Sequence, residues 1–231
     1  GNVAPTNTSL GRIGLGYIYA DWIPQITYIS PKIGGAFQVT AGVFQPFNVV
    51  TPITENEDPG FQAKVTWDFS GPVTGRLWLG GIYQDQSIQD AFGGGSFDGT
   101  GVDVGAKIGF GPAEIVAYYY TAEGVGTTAP FVLAVSATGD ERDSDGGYLQ
   151  GTIKFGPTKL GLSYGISQLD EASGESNPTL VEENSSWVFG VYHALTSSVN
   201  LVFEYIKTEA ENQAGDDIDD DAFALGAILF F

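Results

Sequence analysis

FQAKVTWDFSGP (61–72) alternates without a slip. Phe61, Ala63, Val65, Trp67 and Phe69 fall on one side of an extended chain, and Gln62, Lys64, Thr66 and Asp68 on the other, because successive strand side chains point to opposite faces. One face avoids water and the other carries full charges, until Gly71-Pro72 stops the strand. The dyad recurs downstream. Val102, Val104, Ala106, Ile108 and Phe110 oppose Asp103 and Lys107, and Leu149, Ile153 and Phe155 oppose Tyr148, Gln150, Thr152 and Lys154.

Period-2 segments bounded by turn residues predict eleven strands, at 10–30, 36–45, 61–69, 76–86, 102–110, 114–121, 148–155, 160–168, 187–195, 200–208 and 223–231. The first contains Pro24 and a slip of phase near 20–23 that predicts a bulge. The connections alternate in length. Tight ones fall at 31–35, 70–75, 111–113, 156–159 and 196–200; long ones at 46–60, 87–101, 122–147, 169–186 and 209–222. Three tight turns repeat a motif: Phe69-Ser70-Gly71-Pro72, Phe110-Gly111-Pro112 and Phe155-Gly156-Pro157. The acids follow the same rule. Glu55, Glu57 and Asp58, then Asp140, Glu141, Asp143 and Asp145, then Glu182 and Glu183, then DDIDDD (216–221) all fall in long connections. One end of the strand stack is therefore expected to be acidic and long-looped, the other tight-turned.

Composition limits the function. The 231 residues carry a formal charge of −19, which disfavours nucleic acid as a partner because phosphates would be repelled. With no Cys there is neither a disulfide framework nor a thiolate metal site or nucleophile. A 42% hydrophobic content supports a folded domain, and 1–231 reads as one. No apolar run approaches the roughly 20 residues of a membrane helix. The absence of Met and the start at Gly1 lead us to expect a processed or truncated beginning.

The dyad admits two architectures, a soluble antiparallel sandwich or a membrane barrel. The barrel is favoured by aromatics that close the apolar strips beside tight turns (Trp67, Phe69, Phe110, Phe155), by segregated connection lengths, and by a polar face rich in Gly, Ser and Thr. The fold expected is an all-β, transmembrane, antiparallel up-and-down barrel. Eleven strands cannot close such a barrel, since lipid-facing barrels of one chain close with even numbers and tolerate no open edge. An odd number of strands is expected before Gly1 or from another chain, unless one more hides in 122–147 around PFVLAV (130–135).

NTSLGRIGLGYIYADWIPQITYISPKIGGAFQVTAGVFQP (7–46), WVFGVYHALTSSVNLVFEYIKT (187–208) and the last strand ending at Phe231 resemble the general diffusion porins of Gram-negative outer membranes. The resemblance spans the chain as the C-terminal two-thirds of such a protein. It implies a sixteen-stranded barrel, of which about eleven strands are present. It also implies a homotrimer, a constriction loop ending near residue 9, an outer-membrane location, and contact with lipopolysaccharide. Arg12 in Leu10-Gly11-Arg12 matches a wall arginine facing that loop, and Phe231 the terminal aromatic that outer-membrane barrels present to their assembly machinery.

The expected pore-lining residues are Arg12, Gln62, Lys64, Asp68, Asp103, Lys107, Tyr148 and Lys154. Trp67, Phe69, Phe110, Phe155 and Phe231 would form the aromatic girdle. The function expected is passive passage of small hydrophilic solutes and ions, with no catalysis, no cofactor and no resident metal. The DDIDDD run is oxygen-rich but lacks the Gly and Glu spacing of a calcium loop. It reads as a solvated loop, with bridging divalent cations as its alternative. GGGS (93–96) precedes no helix and reads as a plain loop rather than a phosphate cradle. Two other classes stay open: a soluble sandwich adhesin, and a barrel enzyme using His193, the only histidine.

Overall fold

In the computed structural model, residues 15–18, 23–47, 56–89, 94–127 and 130–231 are described. Eleven strands form one antiparallel sheet in sequence order, each paired to the next. They are β1 (Gln25–Ile29), β2 (Phe37–Phe44), β3 (Gly60–Phe69), β4 (Thr74–Ser87), β5 (Ser96–Phe110), β6 (Ala113–Glu123), β7 (Asp143–Phe155), β8 (Thr158–Leu169), β9 (Val181–Ala194), β10 (Val199–Asn212) and β11 (Asp217–Leu229). β1 and β11 have no second neighbour among the described residues.

The two faces meet different surroundings. The apolar phase points outward and is bare: Leu225 is 84% exposed, Leu149 60% and Phe155 57%. The polar phase turns inward, where Gln84, Gln150, Ser163 and Glu204 are buried. No second sheet covers the apolar side among the described residues, so the sandwich alternative falls. A continuous apolar exterior of this extent far exceeds the few hundred Å² that soluble monomers expose. It fits a hydrocarbon solvent.

Local chemistry explains the turns. Gly111 and Gly156 have φ of 57° and 56°, and each is followed by Pro. This is the pattern of a two-residue turn with a positive first φ, whose twist matches the strands. The turn carbonyls remain in use: the Lys154 N–H donates to Pro112 O and the Ala194 N–H to Pro157 O, both at 2.9 Å.

Two expectations need correction. Among the described residues the first strand is Gln25–Ile29, shorter than the expected 10–30. Residues 15–18 are not strand, and the expected bulge at 20–23 lies mostly outside the described residues. The acidic run is not a loop: Asp217, Asp219, Asp220 and Asp221 belong to β11 and pair with β10. The turn sits instead at 213–216. There the Asn212 side-chain oxygen accepts from the Ala214 and Asp216 N–H groups (3.0 and 2.9 Å), and Gly215 takes φ of 81°. An Asx-type turn of this kind closes a hairpin regardless of the charges beside it. Strands β5, β7, β9 and β10 likewise run further toward the long-loop end than their apolar stretches indicate.

Candidate pore wall

The inner face of the sheet is the candidate site, and its charged groups lie toward the tight turns and at mid-wall. On β3 and β4, Asp68 accepts from Lys32 (2.7 Å) and from both sides of the Arg76 guanidinium (2.6 and 3.0 Å). Lys107 on β5 pairs with Glu114 on β6 at 2.8 Å. Lys154 on β7 stands directly opposite Lys159 on β8, and Arg76 opposite Lys107. Lys64 Nζ lies 5.4 Å from the Trp78 ring centre. Such half-exposed pairs contribute about 0–1 kcal/mol each, so their consequence is the field they leave in the enclosed space.

Between the turn-side charges and the mid-wall groups Lys64 and Asp103 runs an aromatic row. Register places Trp78, Gly105, Tyr118 and Tyr148 side by side across β4 to β7. The indole lies over Gly105, where a Cβ would be 2.0 Å from the ring. Tyr118 stacks on Tyr148 with centroids 5.5 Å apart.

Against this wall lies residues 15–18. The Gly16 N–H donates to Ser167 Oγ at 2.7 Å. Gly16 has φ of 75°, and a Cβ on it would approach the Gly147 carbonyl oxygen to 2.6 Å. Tyr17 meets Tyr148 edge-on, and Ile18 packs over Gly101. The wall glycines Gly101 and Gly165 thus leave a seat shallow enough for a backbone to lie flat, against the Gly147 carbonyl.

At the long-loop end two connections also fold inward. The β2–β3 connection is pinned by Gln84, whose side chain accepts from the Phe47 N–H (3.0 Å) and donates to Phe47 O (3.2 Å). Asn56 donates to Phe47 O at 2.6 Å and to Gln86 at 2.5 Å. From the β6–β7 connection, Phe131 enters over Gly99 and meets Phe47 with centroids 5.4 Å apart. Phe44, Tyr120, Ala122 and Val125 complete this buried cluster. The same connection is tied to the β8–β9 connection by a half-buried ion pair, Arg142 to Glu175 at 2.5 Å, with side chains 5% and 10% exposed. The guanidinium holds the Glu175 carboxyl down to about 2.

Of the residues singled out in the sequence, Gln62, Lys64, Asp68, Asp103, Lys107, Tyr148 and Lys154 lie on the inner face. Arg12 lies outside the described residues. Gln62 bonds to Gln25 at 2.6 Å across Gly42. Trp67, Phe69, Phe110 and Phe155 project from the outer face beside the tight turns, and Trp67 stacks on Phe37 at 6.1 Å. Phe231 lies two residues beyond the end of β11 and is fully exposed. His193 also projects outward, where its Nδ1 lies 2.9 Å from Thr158 Oγ1.

Sequence reading missed a second aromatic band at the other end: Tyr83, Tyr119, Trp187 and Phe223 on the outer face. Tyr83 and Tyr205 donate to Asp98 (3.0 Å) and Asp221 (2.7 Å), tying their ring tips to the polar rim. Tyr83 lies eight residues along β4 from Gly75, the partner of Phe69. That is about 27 Å of strand, or about 20 Å of bilayer at the usual tilt of about 40°. The alternation of aromatic and acid at 83/85 and 119/123 was the available signal.

A sequence profile described as Gram-negative porin matches residues 1–213. No curated protein matches the chain significantly. Three solved structures resemble it in fold. The outer membrane channel DcaP of Acinetobacter baumannii superposes with a TM-score of 0.76 at 18% identity, covering 90% of this chain and 62% of that one. A refined porin structure gives 0.55 at 18% identity, covering 90% and 60%. An anion-selective porin from Comamonas acidovorans gives 0.56 at 17% identity, covering 88% and 55%. The chain thus spans about six-tenths of the length of the structures it matches.

Proposed function

Because the chain belongs to the Gram-negative porin family, we propose that it is the larger part of a general diffusion porin, a passive water-filled channel of the outer membrane. Its substrates are small hydrophilic solutes and ions moving down their gradients. The observation that carries the reading is the opposition of faces, a bare apolar exterior around a charged and hydroxyl-rich interior. Lipid accepts the first, and water is needed for the second, since a lipid-facing cation near the midplane would cost about 2–4 kcal/mol.

The division of labour follows from position. Lys64, Arg76, Lys107 and Lys154, with Asp68 and Asp103, line the passage, and Gln62 and Tyr148 bound it. Residues 15–18 on the wall and the Phe47–Phe131 contact at the mouth set the size limit. Trp67, Phe69, Phe110, Phe155 and Phe231 anchor the tight-turn rim in the membrane interface, and the outer tyrosines anchor the other. The rim acids face lipopolysaccharide, where divalent cations bridge them to its phosphates. A homotrimer of single-domain, sixteen-stranded barrels completes the arrangement. Transport of this kind involves no catalysis and no cofactor.

Planar-bilayer recording of the full-length protein tests the proposal. Stepwise conductance roughly proportional to bulk conductivity is expected. A protein that inserts and yields no steps would overturn it.

A further inference from the structure

We infer that Glu204, buried in the barrel wall, is a positioning residue for ion selectivity: through Tyr192 it fixes where the Lys159 ammonium stands at the tight-turn end of the pore. This rests on the channel reading above and adds to it a determinant of selectivity that does not itself meet the passing ions. The three residues belong to three adjacent strands, β8, β9 and β10, and share the inner face. Gly161 and Gly190 stand directly opposite each other on that face and leave a trough. The Tyr192 ring lies over the Gly190 half of it, where a Cβ would be 2.4 Å from the tyrosine hydroxyl oxygen. That hydroxyl donates to Glu204, the residue directly opposite Gly190 on β10.

Stability does not account for the acid. Glu204 is buried, as are its inner-face neighbours Val188, Tyr192 and Val202, and Ala224 stands opposite it on β11. One carboxyl oxygen accepts from Tyr192, while the other has no hydrogen-bond partner among the described residues. A buried polar atom left without a partner costs free energy, and an aliphatic side chain here would avoid that cost. What the carboxyl adds is an acceptor for the tip of the tyrosine.

The tyrosine in turn supports a charge. Lys159 is directly opposite Tyr192, and its Nζ lies 5.1 Å from the ring centre. The face of an aromatic ring attracts a cation. The ammonium is therefore drawn toward β9 and away from Lys154, its like-charged neighbour on the other side. An ammonium held at the wall acts on passing ions more weakly than one extended into the water, because screening sets in over about 10 Å at 0.1 M salt. Lys159 thus lends the passage less anion preference than its charge alone would give, and the Tyr192–Glu204 bond sets by how much.

The test is the reversal potential of the full-length protein in a planar bilayer, under a KCl gradient near about 0.1 M, where screening is weak. Y192A and E204L should each release Lys159 and lower the ratio of potassium to chloride permeability by at least about 1.5-fold. E204Q, whose amide oxygen accepts the same hydrogen bond, should leave the ratio unchanged. In a K159Q background, Y192A and E204L should have no further effect, since the charge they reposition is gone. An unchanged ratio in Y192A and E204L overturns the inference. So does an E204Q shift equal to that of E204L, which assigns the effect to charge instead of position, and so does a shift that persists in K159Q. Each of these results leaves the channel standing, whereas absence of any conductance from the unaltered protein overturns both. Y192F removes only the ring-tip oxygen and serves where a larger change prevents insertion: a shift in the same direction is expected, and an unchanged ratio overturns the inference.

Discussion

Arg142 and Glu175 show how much one pair can carry. Arg142 is buried and Glu175 half-buried, and the guanidinium also donates to Leu133 O at 3.0 Å, so the pair fixes the β6–β7 connection that brings Phe131 into the mouth. Removing Arg142 leaves the half-buried carboxylate without its charge-assisted hydrogen bonds, at a cost of about 1–3 kcal/mol. Arg142→Ala should raise amide exchange across 124–142 and 170–180 at least tenfold while the strands stay protected. The pH dependence has a definite sign. The folded Glu175 carboxyl, at about 2, lies below its ordinary value of 4.5, so its contribution is present above about 4.5 and disappears as pH falls toward 2. Exchange in the same two connections should therefore be flat from pH 7 to 5 and rise, after correction for intrinsic rates, only in that acid window. Gly105 is a second case. A Cβ there lies 2.0 Å from the Trp78 indole, and Gly105→Val should lower stability by about 1–3 kcal/mol, read as a lower thermal midpoint in detergent.

At the scale of elements, the strands were legible and the inward segments were not. Strict alternation at 61–69 and 102–110 announced β3 and β5 because each has one wet and one dry face, which period 2 reports directly. The extensions of β10 and β11 escaped notice because they stand beyond the apolar band. There both faces are wet, alternation vanishes, and only the Asn212–Gly215 turn marks the hairpin. PFVLAV was ambiguous for another reason. Its apolar residues do not repeat at any period, since Phe131 and Leu133 hold φ of 66° and 59° and turn the chain into the mouth. That conformation costs about 1–2 kcal/mol per residue, offset at Phe131 by burial against Phe47 and Tyr120. The seat for residues 15–18 left a trace in the wall glycines, but glycine alone does not say what lies on it. Phe131→Ser should free the Phe47 contact and raise single-channel conductance without altering stability of the strands. An unchanged conductance would mean that the mouth cluster does not limit flow.

For the whole molecule, the hydrophobic alternation is the governing arrangement. It separates lipid from water across each strand, and everything else proposed here depends on it. These 231 residues contain no cysteine, and any cysteine elsewhere in the full-length protein is first replaced by serine, so each engineered thiol is the only one. The most direct measurement is single-cysteine labelling along β3 and β7 of the full-length protein in liposomes with a charged, membrane-impermeant maleimide. Gln62, Lys64 and Lys154 positions should label, and Val65, Ala63, Ile153 and Leu149 positions should not. Labelling of the apolar set, or equal labelling of both sets, would contradict the account.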